Sequence, residues 1–254
     1  MIDLSSSAGV PVSVDPGSGA LSLSDELAVE EISLRTLEAA RQAYEQAPAT
    51  AAPLYQMANG ITPREKPEPA SALRFELTSL RPGAVGGEWV KTVGHIHDAA
   101  PDGLGFPEAY EVVAGKAIFV LFKPEPVRCA LIEAGRGEQF VIPPGWHHLA
   151  VNRGEEAMVF ADVVARAVTP DYSLLRERRG APIYLGPSGI RFNSRYGGCA
   201  PVAIRASALP RPSAHGGLAE TFFGDRGKLD YLLAPGRYRS AWSDLDAALT
   251  GKRP

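Results

Sequence analysis

Residues 92–116 read TVGHIHDAAPDGLGFPEAYEVVAGK. The chain has five histidines, and two of them, His95 and His97, stand here with one residue between them. In a strand, residues i and i+2 point to the same face, so the two imidazoles would lie side by side. A strand-like run, AYEVVA, follows a loop, and an acid, Glu108, opens it. An antiparallel return of that strand would bring the carboxylate within reach of the pair. His148 is a further candidate, in VIPPGWHHLAVN just past a Pro-Pro-Gly turn. Three imidazoles and one carboxylate suit Fe(II), Mn(II), Zn(II) or Ni(II) and disfavour Ca(II), which takes oxygen ligands. A His-x-His pair alone is more often two ordinary histidines, so the case depends on what surrounds it.

Around this stretch, from residue 54 to about residue 165, short apolar or alternating runs are separated by turn signals. ALRFELTSL, WVKTVGHIH, AYEVVAG, KAIFVLF, VRCALIEA, FVIPPG, WHHLAVN and MVFADVVA are the main ones. Many short strands with frequent turns predict an all-β antiparallel sandwich or barrel. No βα alternation and no internal repeat interrupts the pattern. Residues 25–47, DELAVEEISLRTLEAARQAYEQA, place Leu27, Ile32, Leu34, Leu37, Ala40 and Tyr44 at roughly helical spacing, which predicts an N-terminal helix outside the sandwich. Residues 1–24 read as irregular, residues 200–220 as a linker or surface wrap, and residues 239–250 as a short terminal helix capped by Ser243. The bulk at Phe222, Phe223, Tyr231, Tyr238 and Trp242 is too apolar to stay in water, so this part is expected to pack on the sandwich or across a dimer interface.

Glu108 is followed after six residues by Gly115, and Gly137, Pro143, Gly145, His148 and Asn152 stand at intervals of five, one, two and three residues. These spacings resemble the two motifs of the cupin superfamily, which implies a jelly-roll β-sandwich. The second motif matches throughout. The first departs in the loop between His97 and Glu108, where ten residues replace the usual three or four. A narrower resemblance lies in TSLRPGAVGGEWVKTVGHIH, PEAYEVVAGKA and VIPPGWHHLAVNRGEE, with GVPVSVDPGSGAL upstream. Over roughly residues 9–175 the chain is similar to the cupin-type glucose-6-phosphate isomerases of archaea and some bacteria.

That resemblance implies an isomerase of sugar phosphates with one divalent metal per chain, Fe(II) favoured and Mn(II), Ni(II) or Zn(II) possible. It implies His95, His97, Glu108 and His148 as ligands, and Thr78, Thr92 and the backbone of Gly94 as phosphate binders. Tyr55 matches a sugar-contacting tyrosine, and Tyr110 and Tyr172 match aromatic residues lining the site. A homodimer is also implied. It divides the chain into a cupin unit at 1–200 and an extension at 201–254. Pro170 stands where relatives tend to carry another active-site histidine, before Asp171-Tyr172. His147 would face away from His148 on a strand, but a register slip by one would exchange them. Thr78 and Thr92 read equally as plain strand threonines, Tyr55 and Tyr110 as core aromatics, and His215 as a solvated loop residue.

Composition narrows the function classes. Net charge is -3, with 26 Lys and Arg against 29 Asp and Glu, so no basic surface invites nucleic acid or an anionic membrane. No apolar run is long enough to cross a bilayer, and the N-terminus shows no secretion signal. Cys129 and Cys199 make no disulfide framework and read as buried thiols, which favours a cytoplasmic protein.

Aldose–ketose exchange needs a base beside C1 and C2 and a Lewis acid for the oxygen that gains charge, and Glu108 is the only acid in either motif placed for the first role. A hydride shift without a base is the rival. Competing readings are another metal-dependent cupin enzyme, such as a sugar epimerase or Fe(II) dioxygenase, and a non-catalytic sugar-binding cupin. Thr92-Val93-Gly94 ahead of His95 favours the isomerase, since a dioxygenase needs no phosphate cradle; Pro170 and the C-terminal segment favour the others.

Overall fold

Alternation along the strands sets the architecture. In LRFELTSL, Leu73, Phe75 and Leu77 face one way and Arg74, Glu76 and Thr78 the other. The computed structural model, which describes residues 1–65, 71–213 and 216–252, builds two facing sheets from ten such strands. They are β1 (Glu31–Thr36), β2 (Pro53–Asn59), β3 (Leu73–Leu80), β4 (Glu108–Ala114), β5 (Lys116–Pro124), β6 (Val127–Gly135), β7 (Gln139–Ile142), β8 (His147–Asn152), β9 (Met158–Ala165) and β10 (Val202–Arg205). One sheet runs β7-β4-β9-β3-β2-β1 and the other β8-β5-β6-β10. Every pairing in them is antiparallel except β6 with β10, which is parallel. This is the cupin β-sandwich. His215 lies outside the described residues.

The core lies in layers. Between the sheets pack Phe119, Phe140, Tyr110, Phe160 and Trp146. Unusually for an antiparallel strand, every residue of β9 is buried, because the outer face of its sheet is also covered. Val10, Val12 and Val14 from the N-terminal segment and Phe222 from the helix Leu218–Gly224 cover that face. Phe75 meets Phe222 and Phe223 at ring-centre distances of 5.8 and 5.4 Å. A third cluster, around Leu175, Ile183 and Tyr196, backs the smaller sheet.

Several expectations are corrected. The helix over 25–47 is absent: Leu27–Ala28 and Glu31–Thr36 are strands, and helix is confined to a short α turn at Leu37–Ala40, with Thr36 Oγ1 accepting from Ala39 N at 3.3 Å, and a 3-10 turn at Arg41–Ala43. EISLRT fits both periods, and pairing with β2, from Glu31↔Asn59 to Arg35↔Tyr55, overrides the helical propensity. Residues 1–24 hold a small three-stranded sheet rather than irregular chain. The span 200–220 is not a linker, since β10 joins the sheet and Ala206 is fully buried. The terminal helix spans Arg239–Leu249 and starts after Tyr238, so Ser243 is interior to it and caps nothing. Of the two cysteines only Cys129 is buried, and Cys199 is half-buried.

Two polar ties matter later. Asp246, on the terminal helix, accepts from Trp146 Nε1 at 3.1 Å and pairs with Lys123. Lys91 and Glu88 form a buried ion pair; Glu88 also accepts from Glu45 N at 2.8 Å, and the Lys91 ammonium lies 4.5 Å from the Tyr44 ring centre.

Candidate metal centre

A cavity of about 290 Å³ opens between the sheets, near the lower end of the range for small-ligand sites. Its inner end is formed by His95, His97, Glu108 and His148, whose potential ligand atoms all lie within 4.8 Å of one another. The motif histidines do not pair with the Glu108 strand as a hairpin return would require. Ile96–His97 pairs instead with Pro170–Asp171, and His95 forms a bridge with His148. His95 N donates to His148 O at 3.0 Å and His148 N to His95 O at 2.9 Å, which fixes the register of the two motifs. Glu108 arrives from the opposite sheet, on β4, where it pairs with Ile142 of β7.

The long loop from 98 to 107 folds on itself, with Phe106 N donating to Asp98 O at 3.1 Å. It returns the Phe106 carbonyl to within 3.0 Å of His97 Nδ1. His148 Nδ1 lies 3.2 Å from Trp146 O. A carbonyl only accepts, so both Nδ1 atoms carry the proton and both Nε2 atoms turn lone pairs inward. His95 Nε2 and His97 Nε2 stand 2.9 Å apart. His148 Nε2 and Glu108 Oε2 are 3.1 Å apart but out of hydrogen-bonding line, and each is buried with no hydrogen-bond partner. Buried lone pairs converging without donors cost free energy unless a cation satisfies them, so the residues present fit a divalent metal.

Burial depresses the His95 imidazole well below its ordinary value and His97 to about 4, so both are in the neutral ligand form near neutral pH. For Glu108 burial pulls upward, but His148 and His97 hold the carboxyl below the usual carboxylate range. His147 faces away: it is buried and stacks on Phe122 at 4.8 Å, so the register places His148, not His147, at the centre.

Gly94 sits at φ +79° where a Cβ would come within 2.8 Å of Leu149 and 2.9 Å of His148 O, so only glycine permits this approach. Thr78, Thr92, Gly94, Tyr55, Tyr110 and Tyr172 all line the same cavity. Thr92 Oγ1 already accepts from Ala150 N at 3.0 Å and keeps its own proton to donate. The Tyr55 hydroxyl accepts from Val93 N at 3.3 Å, which ties β2 to the segment carrying Thr92 and Gly94. Tyr172 lies 5.5 Å from the His95 ring and Tyr110 6.3 Å from the His148 ring. Pro170 lines the cavity too, opposite His97.

Sequence reasoning missed a polar wall beside the centre. Arg35, Arg74, Glu76 and Asp162 also line the cavity. Asp162 is 3% exposed and pairs in register with both Glu76 and Tyr110. Burial, with Glu76 and Glu108 adding to it, raises Asp162 well above the usual carboxylate range, and burial raises Glu76 to about 7 against the pull of Arg74. The signal was there, in charged residues on the inward face of β3 and one acid inside the apolar run MVFADVVA.

A two-sheet cupin with a three-histidine, one-glutamate centre is thus the class that fold and site define. The chain belongs to the glucose-6-phosphate isomerase (GPI) family, whose match covers residues 30–196. It is 34% identical to the glucose-6-phosphate isomerase of Thermococcus kodakarensis over 125 residues, which cover 49% of this chain and 64% of that protein. It is 31% identical to the one of Pyrococcus furiosus over 125 residues, with the same coverage of 49% and 64%. The matched stretch therefore spans less than two thirds of these relatives' length. Among solved structures, a cupin 2 conserved barrel domain protein from Rhodopseudomonas palustris superposes with TM-score 0.37 at 16% identity, over 63% of this chain and 83% of that one. Among the described residues no helix is long and apolar enough to cross a membrane.

Proposed function

We propose that this protein is a metal-dependent aldose–ketose isomerase that interconverts glucose 6-phosphate and fructose 6-phosphate. The observation that carries the reading is the orphaned pair Glu108 Oε2 and His148 Nε2, buried where three imidazoles meet at the end of a hydroxyl-lined cavity. Family membership supports the substrate class. His95, His97, His148 and Glu108 would hold the metal, with Fe(II) favoured and Mn(II), Ni(II) or Zn(II) compatible with the donor set. When bound, it supplies Lewis acidity to the oxygens at C1 and C2 of an open-chain sugar.

The chain's own residues do the rest. Glu108, held as a carboxylate, takes the proton from one of C1 and C2 and returns it to the other. His95 and His97, whose imidazoles burial keeps neutral, carry no extra proton with which to compete as acids. The hydroxyls of Thr78 and Thr92 and the Gly94 N–H donate to the phosphate, which fixes which end of the sugar reaches Glu108. Tyr55, Tyr110 and Tyr172 wall the sugar and limit water around it. The protein would act in the cytoplasm. As partner it would take a second copy of itself, with the exposed Ile32 and Leu34 on the edge strand β1 as the apolar face available to it.

The test is a coupled assay on fructose 6-phosphate after chelation and re-addition of each metal. Activity should vanish on chelation and return with Fe(II) or its substitutes, and in deuterium oxide the product should carry solvent deuterium at C1 or C2. No turnover of fructose 6-phosphate with any metal would overturn the isomerase reading, and turnover without deuterium uptake would replace the proton transfer by a hydride shift.

A further inference from the structure

We propose that Arg35 is the residue that matches the charge of the ligand's phosphate, at the outer part of the cavity next to Tyr55. The inference deepens the reading above and rests on its substrate class. Two arginines line the cavity. Arg74 is committed, because it pairs with Glu76 two residues along the same strand. Arg35 is not: among the described residues no carboxylate lies within ion-pair distance of it, and the side chains it interacts with, Tyr55 and Tyr172, carry no charge. A half-buried guanidinium that lines a cavity with no carboxylate beside it is an unneutralised cation that an incoming anion would balance.

Its position fits the rest of the cradle. Arg35 is on the edge strand β1, opposite Tyr55 in the register. Tyr55 in turn takes its hydrogen bond from Val93, between Thr92 and Gly94. Among the described residues the Gly94 amide donates to no other group. So the cavity offers a free amide, two hydroxyls and a guanidinium without an acidic partner. Of the acids that also line it, Glu108 is held as a carboxylate at the metal end and would repel a phosphate, burial favours the neutral form of Asp162, and Glu31 stands on Arg35's own strand. Hydroxyls and an amide supply donors but no net charge; only Arg35 supplies the cation, and its planar fork suits phosphate oxygens. The same polarity sets orientation, since a sugar phosphate entering with its phosphate at Arg35 leads with its carbonyl end towards Glu108.

The experiment uses the metal-loaded protein and its Arg35→Met and Arg35→Lys variants. Binding of inorganic phosphate is measured by calorimetry, and KM and kcat are measured on fructose 6-phosphate. Arg35→Met should weaken phosphate binding and raise KM by about 10- to 100-fold, the worth of a hydrogen bond to a charged group. Metal content and kcat should stay within about twofold of wild type, and Arg35→Lys should recover part of the loss. Unchanged phosphate binding and KM in Arg35→Met would overturn the assignment while leaving the isomerase reading intact. A wild type that binds phosphate through Arg35 yet turns over no fructose 6-phosphate would do the reverse. Failure of the wild type to bind phosphate at all would also overturn it. The Arg35→Lys variant, with its thermal midpoint, separates a lost contact from a lost fold.

Discussion

Two clusters of polar side chains inside the fold behave in opposite ways. Lys91 and Glu88 are 4% and 0% exposed, and each has what it needs: the pair itself, the Glu45 amide on the carboxylate and aromatic rings around the ammonium. In the His95–His97–Glu108–His148 centre three of the four side chains are buried and His95 is half-buried, yet two of its inward atoms have no partner. Burial alone therefore does not mark a functional site. A closed polar group ties strands together, whereas one left open towards a cavity has a place for something else.

The contrast can be broken at three points. The largest effect is expected from His148→Ala, which removes a ligand and leaves the backbone bridge to His95 in place. Bound metal, read by elemental analysis, and turnover should both be lost. Glu108→Gln comes second. It keeps an oxygen donor and three imidazoles, so metal should stay with lower affinity while turnover falls about 100-fold or more. A metal-replete Glu108→Gln variant working at near wild-type rate would remove Glu108 as the base. The smallest effect on turnover, and the largest on stability, is expected from Glu88→Gln, which leaves Lys91 buried and unpaired at a cost of about 3–5 kcal/mol. The thermal midpoint should fall by on the order of 10 °C with kcat unchanged. The double variant Lys91→Met, Glu88→Leu should recover most of the midpoint, because removing both charges leaves none uncompensated. If Glu88→Gln instead changed metal content, the two groups would not be independent and the contrast would fail.

Much of this was readable in the chain, and the reason is local. His95, His97, Glu108 and His148 announce themselves through spacing, because a strand's two-residue period and a Pro-Pro-Gly turn fix where each side chain goes. The failures have a common cause as well. Residues 31–36 alternate and also fit a helical stripe, and only the partner strand, Pro53–Asn59, decides between them. Misreading that segment hid Arg35, whose place in the cavity depends on β1 being a strand at the sheet edge. Asp162 and Glu76 come together only through register across β9 and β3, a long-range pairing no short window contains. The Glu108 approach was legible in its outcome but not in its route, since the sequence does not say which sheet a strand will join.

The tie from Trp146 to Asp246 has a consequence for how the molecule is made. The indole sits two residues before His148, but the carboxylate that receives its N–H is 100 residues further along the chain. At about 5–20 residues per second, a ribosome finishes the second motif roughly 5–20 s before it delivers that acceptor. During this interval the nascent sandwich holds its histidines beside an indole whose N–H still lacks the acceptor it has in the folded protein.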